Sequence, residues 1–425
     1  MSRRRWFLAF VFAMSCKDNE STPPTPDAGP PPPAPDAATE CPLGYAECDG
    51  IPTTVCETRI DSDPNACGAC GTQCPPAGPH QVTTCAHATC GITCAAGYLD
   101  CDGDPANGCE NPGAKCGVQV LATYKTPGGI ALDDSFVYFA SKGTAPDFMD
   151  GIVWKVPKGG GAVVELANGL NRPLGITTDA DWVYCANGGH TDRPDGSIVA
   201  ISKTGGGRRT LLLSGLRPNN PVVSGDQLFF TVKELPNGRV LATKKDGSTL
   251  STPTEIATGV NGANDMVRAG NGLVWSSTGN LTDGSDGRVE AADFDGSNRR
   301  TIAQGIPVPS YQTGVLGDAI FVGSGTRETL ERLDLATDGG AAPLTLATML
   351  GTPQEVLADA SWVYVTISNP PRVIAVRPTG SPPVVVADQQ SYPSYLAADA
   401  THIYWTDGPL NSGAATVKRT IKLPP

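Results

Sequence analysis

HIYWTD, residues 402–407, is one copy of a unit that recurs through most of the chain after Pro127. Sliding it back finds FVYFAS (136–141), WVYCAN (182–187), LFFTVK (228–233), LVWSST (273–278), AIFVGS (319–324) and WVYVTI (362–367). Anchored on residues 138, 184, 229, 274, 321, 364 and 404, the seven copies stand 46, 45, 45, 47, 43 and 40 residues apart. A period in this range marks a repeat architecture, in which no copy can bury its apolar surfaces alone.

Each copy has the same grammar. In the second it runs RPLGITT, DAD, WVYCAN, GGHTDRPDG, SIVAIS, KTGGG and RRTLLLSG (172–215). Short runs rich in Val, Ile, Tyr and Phe, separated by Gly, Asp and Asn, are strands joined by hairpins. Four strands per copy at this period predict the blades of a β-propeller. No copy keeps an apolar period of 3.6 residues, which excludes helical repeats. The last copy ends after three strands. GVQVLAT (117–123) stands before a Pro-Gly-Gly opening as GAVVELA (161–167) stands before Arg172-Pro173, so it is expected to supply the fourth strand and close the ring. The expected fold is all-β: a seven-bladed propeller closed by an N-terminal strand, preceded by a disulfide-rich module and a disordered stalk.

Tyr404-Trp405-Thr406-Asp407 and FDGSNRRTI (294–302) resemble the signature tetrapeptide and a hairpin turn of YWTD and NHL-type propellers. The resemblance covers residues 118–425 and implies the fold. It leaves function open, because propellers host many functions.

Ahead of the repeats the chain divides into three segments. Residues 1–15 carry three arginines and an apolar core from Trp6 to Met14, too short for a membrane span and suited to a signal peptide. Ala13-Met14-Ser15-Cys16 resembles a bacterial lipobox, which makes Cys16 the expected lipidation site; an ordinary signal peptide is the alternative. Lys17, not Asp, follows the cysteine, which allows outer-membrane sorting. Residues 16–40 are then a lipid anchor and Pro-rich linker, with eight prolines between 18 and 40.

Residues 41–117 hold 12 of the 14 cysteines. CPLGYAECDGIPTTVCE (41–57) recurs as CAAGYLDCDGDPANGCE (94–110), and so poor an apolar content requires disulfides. Two bonds are expected within each of three groups: 41, 48, 56, 67; 94, 101, 109, 116; and 70, 74, 85, 90. The module resembles Cys-rich repeats of Gram-negative surface lipoproteins. Asp102, Asp104, Asn107 and Glu110 offer hard oxygens for calcium, although residues of this kind also cap turns. Cys185, the unpaired cysteine of the repeats, is expected to be a small buried hydrophobe.

Composition removes several functions. With 31 basic and 43 acidic residues the net charge is −12, and losing Arg3, Arg4 and Arg5 with the signal leaves 28 against 43. That excess argues against nucleic acid as a partner. Four histidines, two of them in the cysteine-rich module, leave little for a Ser-His-Asp site or a multi-histidine metal centre. KGGGA (158–162) and KTGGGRR (203–209) fall at hairpins, so they are turns and not phosphate loops.

The repeat also locates a working face. The loops between second and third strands are long in copies one, two and four, whereas the turns between third and fourth strands look short and uniform. Variable loops on a rigid scaffold carry binding. Residues that open each blade add a ring near the central channel: Asn219, Asn220, Asn264, Asp265, Tyr311, Gln312, Gln354, Glu355 and Tyr395. The first two blades contribute only Gly128, Gly129, Leu174 and Gly175 to it. Asn220, Asn264, Asp265 and Glu355 resemble the oxygen sets that hold calcium in propeller lactonases, which implies calcium as the cofactor and Asp265 and Glu355 as its charged ligands. The expected function is a lipid-anchored cell-envelope protein, attached to the membrane by its anchor alone, that binds a protein, glycan or small molecule or serves as a scaffold. The alternative is a metal-dependent propeller enzyme of lactonase or lyase type.

Overall fold

The computed structural model describes residues 41–425 apart from 52–54, 97, 100–108, 110, 113–116, 191–192, 214, 235, 250–251, 280–285, 308–311, 337–341, 410–412 and 425. Cys16, the segment 1–40 and the candidate calcium ligands Asp102, Asp104, Asn107 and Glu110 lie outside these residues. The chain forms two compact units that divide inside the cysteine-rich segment: one runs to Pro75 and includes Thr83–Gly91, and the other holds Pro76–Val82 with Ile92–Pro425.

All seven aromatic-rich runs are strands, at Phe136–Ser141, Trp182–Asn187, Gln227–Val232, Gly272–Ser277, Ala319–Ser324, Val363–Ser368 and His402–Asp407. Each is the second strand of a four-stranded antiparallel sheet, so the chain is a seven-bladed β-propeller. No helix occurs among the described residues, and none is long and apolar enough to cross a membrane. The second strands are buried along nearly their whole length because both faces are covered, one by each neighbouring blade. Seven hydrophobic clusters follow, one at each blade interface. Cys185 lies in the cluster between blades one and two, fully buried, and burial pushes its thiol far above the ordinary range, as befits a packing residue.

Closure is as the sequence implies. Gln119–Lys125 pairs antiparallel with Ala414–Ile421 as the outer strand of blade seven, with Ala122 opposite Val417. Leu121, Ala122 and Tyr124 join Tyr404, Ala415 and Val417 against Ile130 and Phe139 of blade one. The seam therefore has a core like any other interface.

A repeated ion pair adds to these cores. In blades one, two and seven an aspartate in the turn before the second strand accepts from that strand's tyrosine hydroxyl, as Asp133 from Tyr138, Asp179 from Tyr184 and Asp399 from Tyr404, at 2.6, 2.7 and 2.8 Å. The lysine that ends the third strand of the following blade pairs with the same carboxylate: Lys203 with Asp133, Lys245 with Asp179, Lys158 with Asp399 across the seam, and, in blade six, Lys422 with Asp359. Burial would raise these carboxyls, but the hydroxyl and ammonium outweigh it and hold Asp133 at about 2.

Among the described residues of the cysteine-rich segment the bonds are Cys41–Cys56, Cys48–Cys70, Cys67–Cys85, Cys74–Cys90 and Cys94–Cys109; Cys101 and Cys116 lie outside those residues. The first, fourth and fifth fall within the expected groups. Cys48–Cys70 and Cys67–Cys85 do not, because residues 64–74 fold back on themselves, with the Cys74 N–H donating to the Pro64 carbonyl at 2.8 Å. That turn brings the third group beside the first instead of after it.

Candidate functional site

The innermost strand of each blade lines the channel, and most of these strands are bulged near their start. Register shifts lie between Pro127 and Ile130, Pro173 and Gly175, Asn219 and Val222, Ala263 and Asp265, Pro353 and Glu355, and Ser394 and Leu396. A bulge leaves a residue out of the ladder and re-aims its side chain. Here the re-aimed residues are those of the expected ring. In blade five, whose inner strand is only Gly314–Leu316, Gln312 stands in line through a parallel bridge to Glu355. Blades one to three sit close: a Cβ on Gly175 would lie 2.9 Å from the Asn220 nitrogen, and one on Gly129 would lie 2.8 Å from the Ile176 nitrogen.

Two cavities follow. The channel proper, about 360 Å³, is lined by Gly129, Gly175, Asn220, Asp265, Gln312, Glu355 and Tyr395 among others. Above it the mouth, about 270 Å³, is lined by Lys142, Arg172, Leu174, Asn219, Asn220, Lys233, Asn264, Gln354, Glu355, Ser394 and Tyr395. Asn220, Glu355 and Tyr395 belong to both. Of the expected ring residues, all line one cavity or the other except Gly128 and Tyr311, the latter outside the described residues.

Their side chains are mostly engaged. Asp265 is buried; its Oδ1 accepts from Asn220 Nδ2 at 3.1 Å and its Oδ2 from the Thr313 N–H at 2.7 Å. Asn220 Nδ2 also donates to the Asn264 carbonyl, and Asn264 Oδ1 accepts from Lys233 Nζ at 2.8 Å. Gln354 donates to Ser368 Oγ and accepts from the Tyr392 hydroxyl at 3.0 Å. Burial pushes Asp265 up to about 7, offset only in part by the N–H groups of Thr313 and Met266. Burial, with the Asp265 charge added to it, raises Glu355 well above the carboxylate range. Above them burial, and then the Arg172 charge, bring Lys142 down to about 8.

The arrangement does not fit calcium at Asn220, Asn264, Asp265 and Glu355. A calcium ion takes six to eight oxygens at about 2.3–2.6 Å. Both Asp265 oxygens and the Asn264 amide oxygen instead hold N–H donors, and two lysines share the cavity. What the geometry offers is a concave polar site with a cationic rim above two carboxyls raised by burial.

Lys142, Arg172 and Lys233 are the residues the sequence did not single out. Lys142 and Lys233 each follow directly on a second strand, a position filled by Gly188, Thr278, Gly325, Asn369 and Gly408 in the other blades. Two lysines at a position otherwise small or polar were the available signal. Loop economy was a weaker one. The connection 245–253 between the third and fourth strands of blade three is as long as 142–150 between the second and third of blade one.

No protein-family model and no curated protein sequence matches the chain. Solved structures match in fold. A Mycobacterium tuberculosis puromycin-hydrolyzing peptidase aligns at 15% identity with a TM-score of 0.52, over 69% of this chain and 51% of that one. A puromycin hydrolase aligns at 15% identity and a TM-score of 0.53, over the same shares. The chain thus spans about half the length of these peptidases. A nidogen/laminin complex aligns at 17% identity with a TM-score of 0.42, over 60% of this chain and 89% of that one.

Proposed function

We propose that the protein is an exported, lipid-anchored cell-envelope propeller that binds a small polar ligand at the mouth of its channel. The observation that carries this reading is the mouth itself, a concave site whose polar side chains are set by bulged inner strands of a closed ring. The disulfides among the described residues support an oxidising compartment and export. The anchor rests on Cys16 and the stalk that follows it. The alternative, a metal-dependent enzyme, would need oxygens that here hold N–H donors.

The test is a thermal-shift screen of the mature protein against sugars, sugar acids, amino acids and short peptides, with every hit repeated on Leu174→Trp. That substitution fills the mouth without removing a hydrogen bond. Ligands that stabilise the parent and not the variant are expected. Hits that all persist in the variant, or a screen without hits, would sink the reading.

A further inference from the structure

We propose that the mouth recognises an acidic group, so that the ligand is a small polar acid: a hydroxylated molecule carrying a carboxylate or phosphate. This rests on the binding reading above and deepens it. Three cations from consecutive blades reach the mouth, Lys142 from blade one, Arg172 from the opening of blade two and Lys233 from blade three. They do so on a chain whose net charge is −12, so the mouth runs against the field of the molecule.

Two of these cations lack a hydrogen-bonded partner among the described residues. Lys142 is only 7% exposed, and among the described residues its ammonium has no hydrogen bond or ion pair; the Tyr395 ring lies 5.8 Å away. Arg172 Nε is buried without an acceptor. Buried donors without partners are rare and unfavourable, since their lost hydration is not replaced. Among the described residues Glu355 is the one carboxyl lining the mouth, against three cations; its charge acts on Lys142, and burial raises its carboxyl well above the carboxylate range. The missing counter-charge is therefore expected from a ligand.

The other side of the mouth differs. Asn264, Gln354, Ser394 and Tyr395, from blades four, six and seven, are neutral and polar. A ligand lying across the site would set its acid against blades one to three and its hydroxyls or amides against the rest. A mouth of about 270 Å³ is at the small end for ligand sites, so what enters is small.

The probes are glucuronate and glucose 6-phosphate, with glucose as the neutral control and inorganic phosphate and sulfate as bare anions. Binding to the mature protein is measured by calorimetry and thermal shift at constant ionic strength. At least one acid-bearing sugar should bind about ten-fold or more tighter than glucose; Lys142→Met should lose about ten-fold or more, with Lys142→Arg recovering most of it. Without ligand, Lys142→Met should melt at or above the parent, because it removes an unpaired buried charge; a purely structural lysine would give a lower melt. The carboxylate and phosphate arms identify which acid is taken. Equal binding of glucose and the acids, equal binding by Lys142→Met, or no saturable effect of any anion would overturn the proposal. A neutral ligand blocked by Leu174→Trp would overturn it while leaving the binding reading standing.

Discussion

Replacing Asp265 by Asn should flatten the fall in stability that the parent shows between pH 5 and 7. Its carboxyl is fully buried and lies at about 7 in the folded protein, against an ordinary value of 3.8. Between those values the folded state binds more protons than the unfolded one, so stability falls as pH rises and levels off above 7. The window from pH 5 to 7 holds two units of about 1.4 kcal/mol each, or about 3 kcal/mol, with Glu355 acting in the same direction. For a domain of this size that corresponds to a melting shift on the order of 5 °C. The opposite arm belongs to Asp133, Asp179, Asp359 and Asp399, whose carboxyls are lowered; their contribution is present above about 4 and lost below it. Lys142, lowered to about 8, acts only above that pH. Melting curves every half unit from pH 3 to 8 should thus peak near pH 4 to 5 in the parent. Asn at 265 can still accept the Thr313 N–H, so the fold is kept. A parent profile that is flat or rising from pH 5 to 7, or an unchanged slope in Asp265→Asn, would refute the reasoning.

Three further outcomes are expected. Deleting residues 119–125 should lower the melting temperature by more than 10 °C, because Leu121, Ala122 and Tyr124 leave the seam and Ala414–Ile421 becomes an open edge; equal melts would contradict closure by this strand. Gly175→Ala should cost about 1–3 kcal/mol in chemical denaturation, since its Cβ would meet backbone of blade three at 2.9 Å; a neutral result would mean the inner strands are not so close. Cys16→Ser should move the protein from the detergent phase to the aqueous phase on cell fractionation, and an unchanged distribution would remove the anchor.

The fold was legible because its signals are local and repeated. One apolar run per copy, with the tyrosines at 138, 184 and 404, marks a strand covered on both faces, and counting copies counts blades. The strand that closes the ring could be placed because the last copy lacks one. The channel ring was legible for the same reason: residues 220, 264, 354 and 395 fall nine or ten positions before the anchor of their copy, where the inner strand bulges. Lys142 and Lys233 were missed because they look like ordinary loop lysines, and the burial of Lys142 arises only when the blades converge. Cys48–Cys70 and Cys67–Cys85 were missed because pairing depends on a back-folded turn that sequence spacing does not encode. The oxygen set around Asp265 read as a calcium cage until its hydrogen-bond donors were in place.

A crystal structure of the mature protein grown with glucuronate or glucose 6-phosphate tests the central claim most directly. The acid should lie in the mouth with an oxygen at about 2.7–3.2 Å from Lys142 Nζ. An acid bound elsewhere, or a divalent ion held by Asp265 and Glu355 beneath an empty mouth, would contradict it.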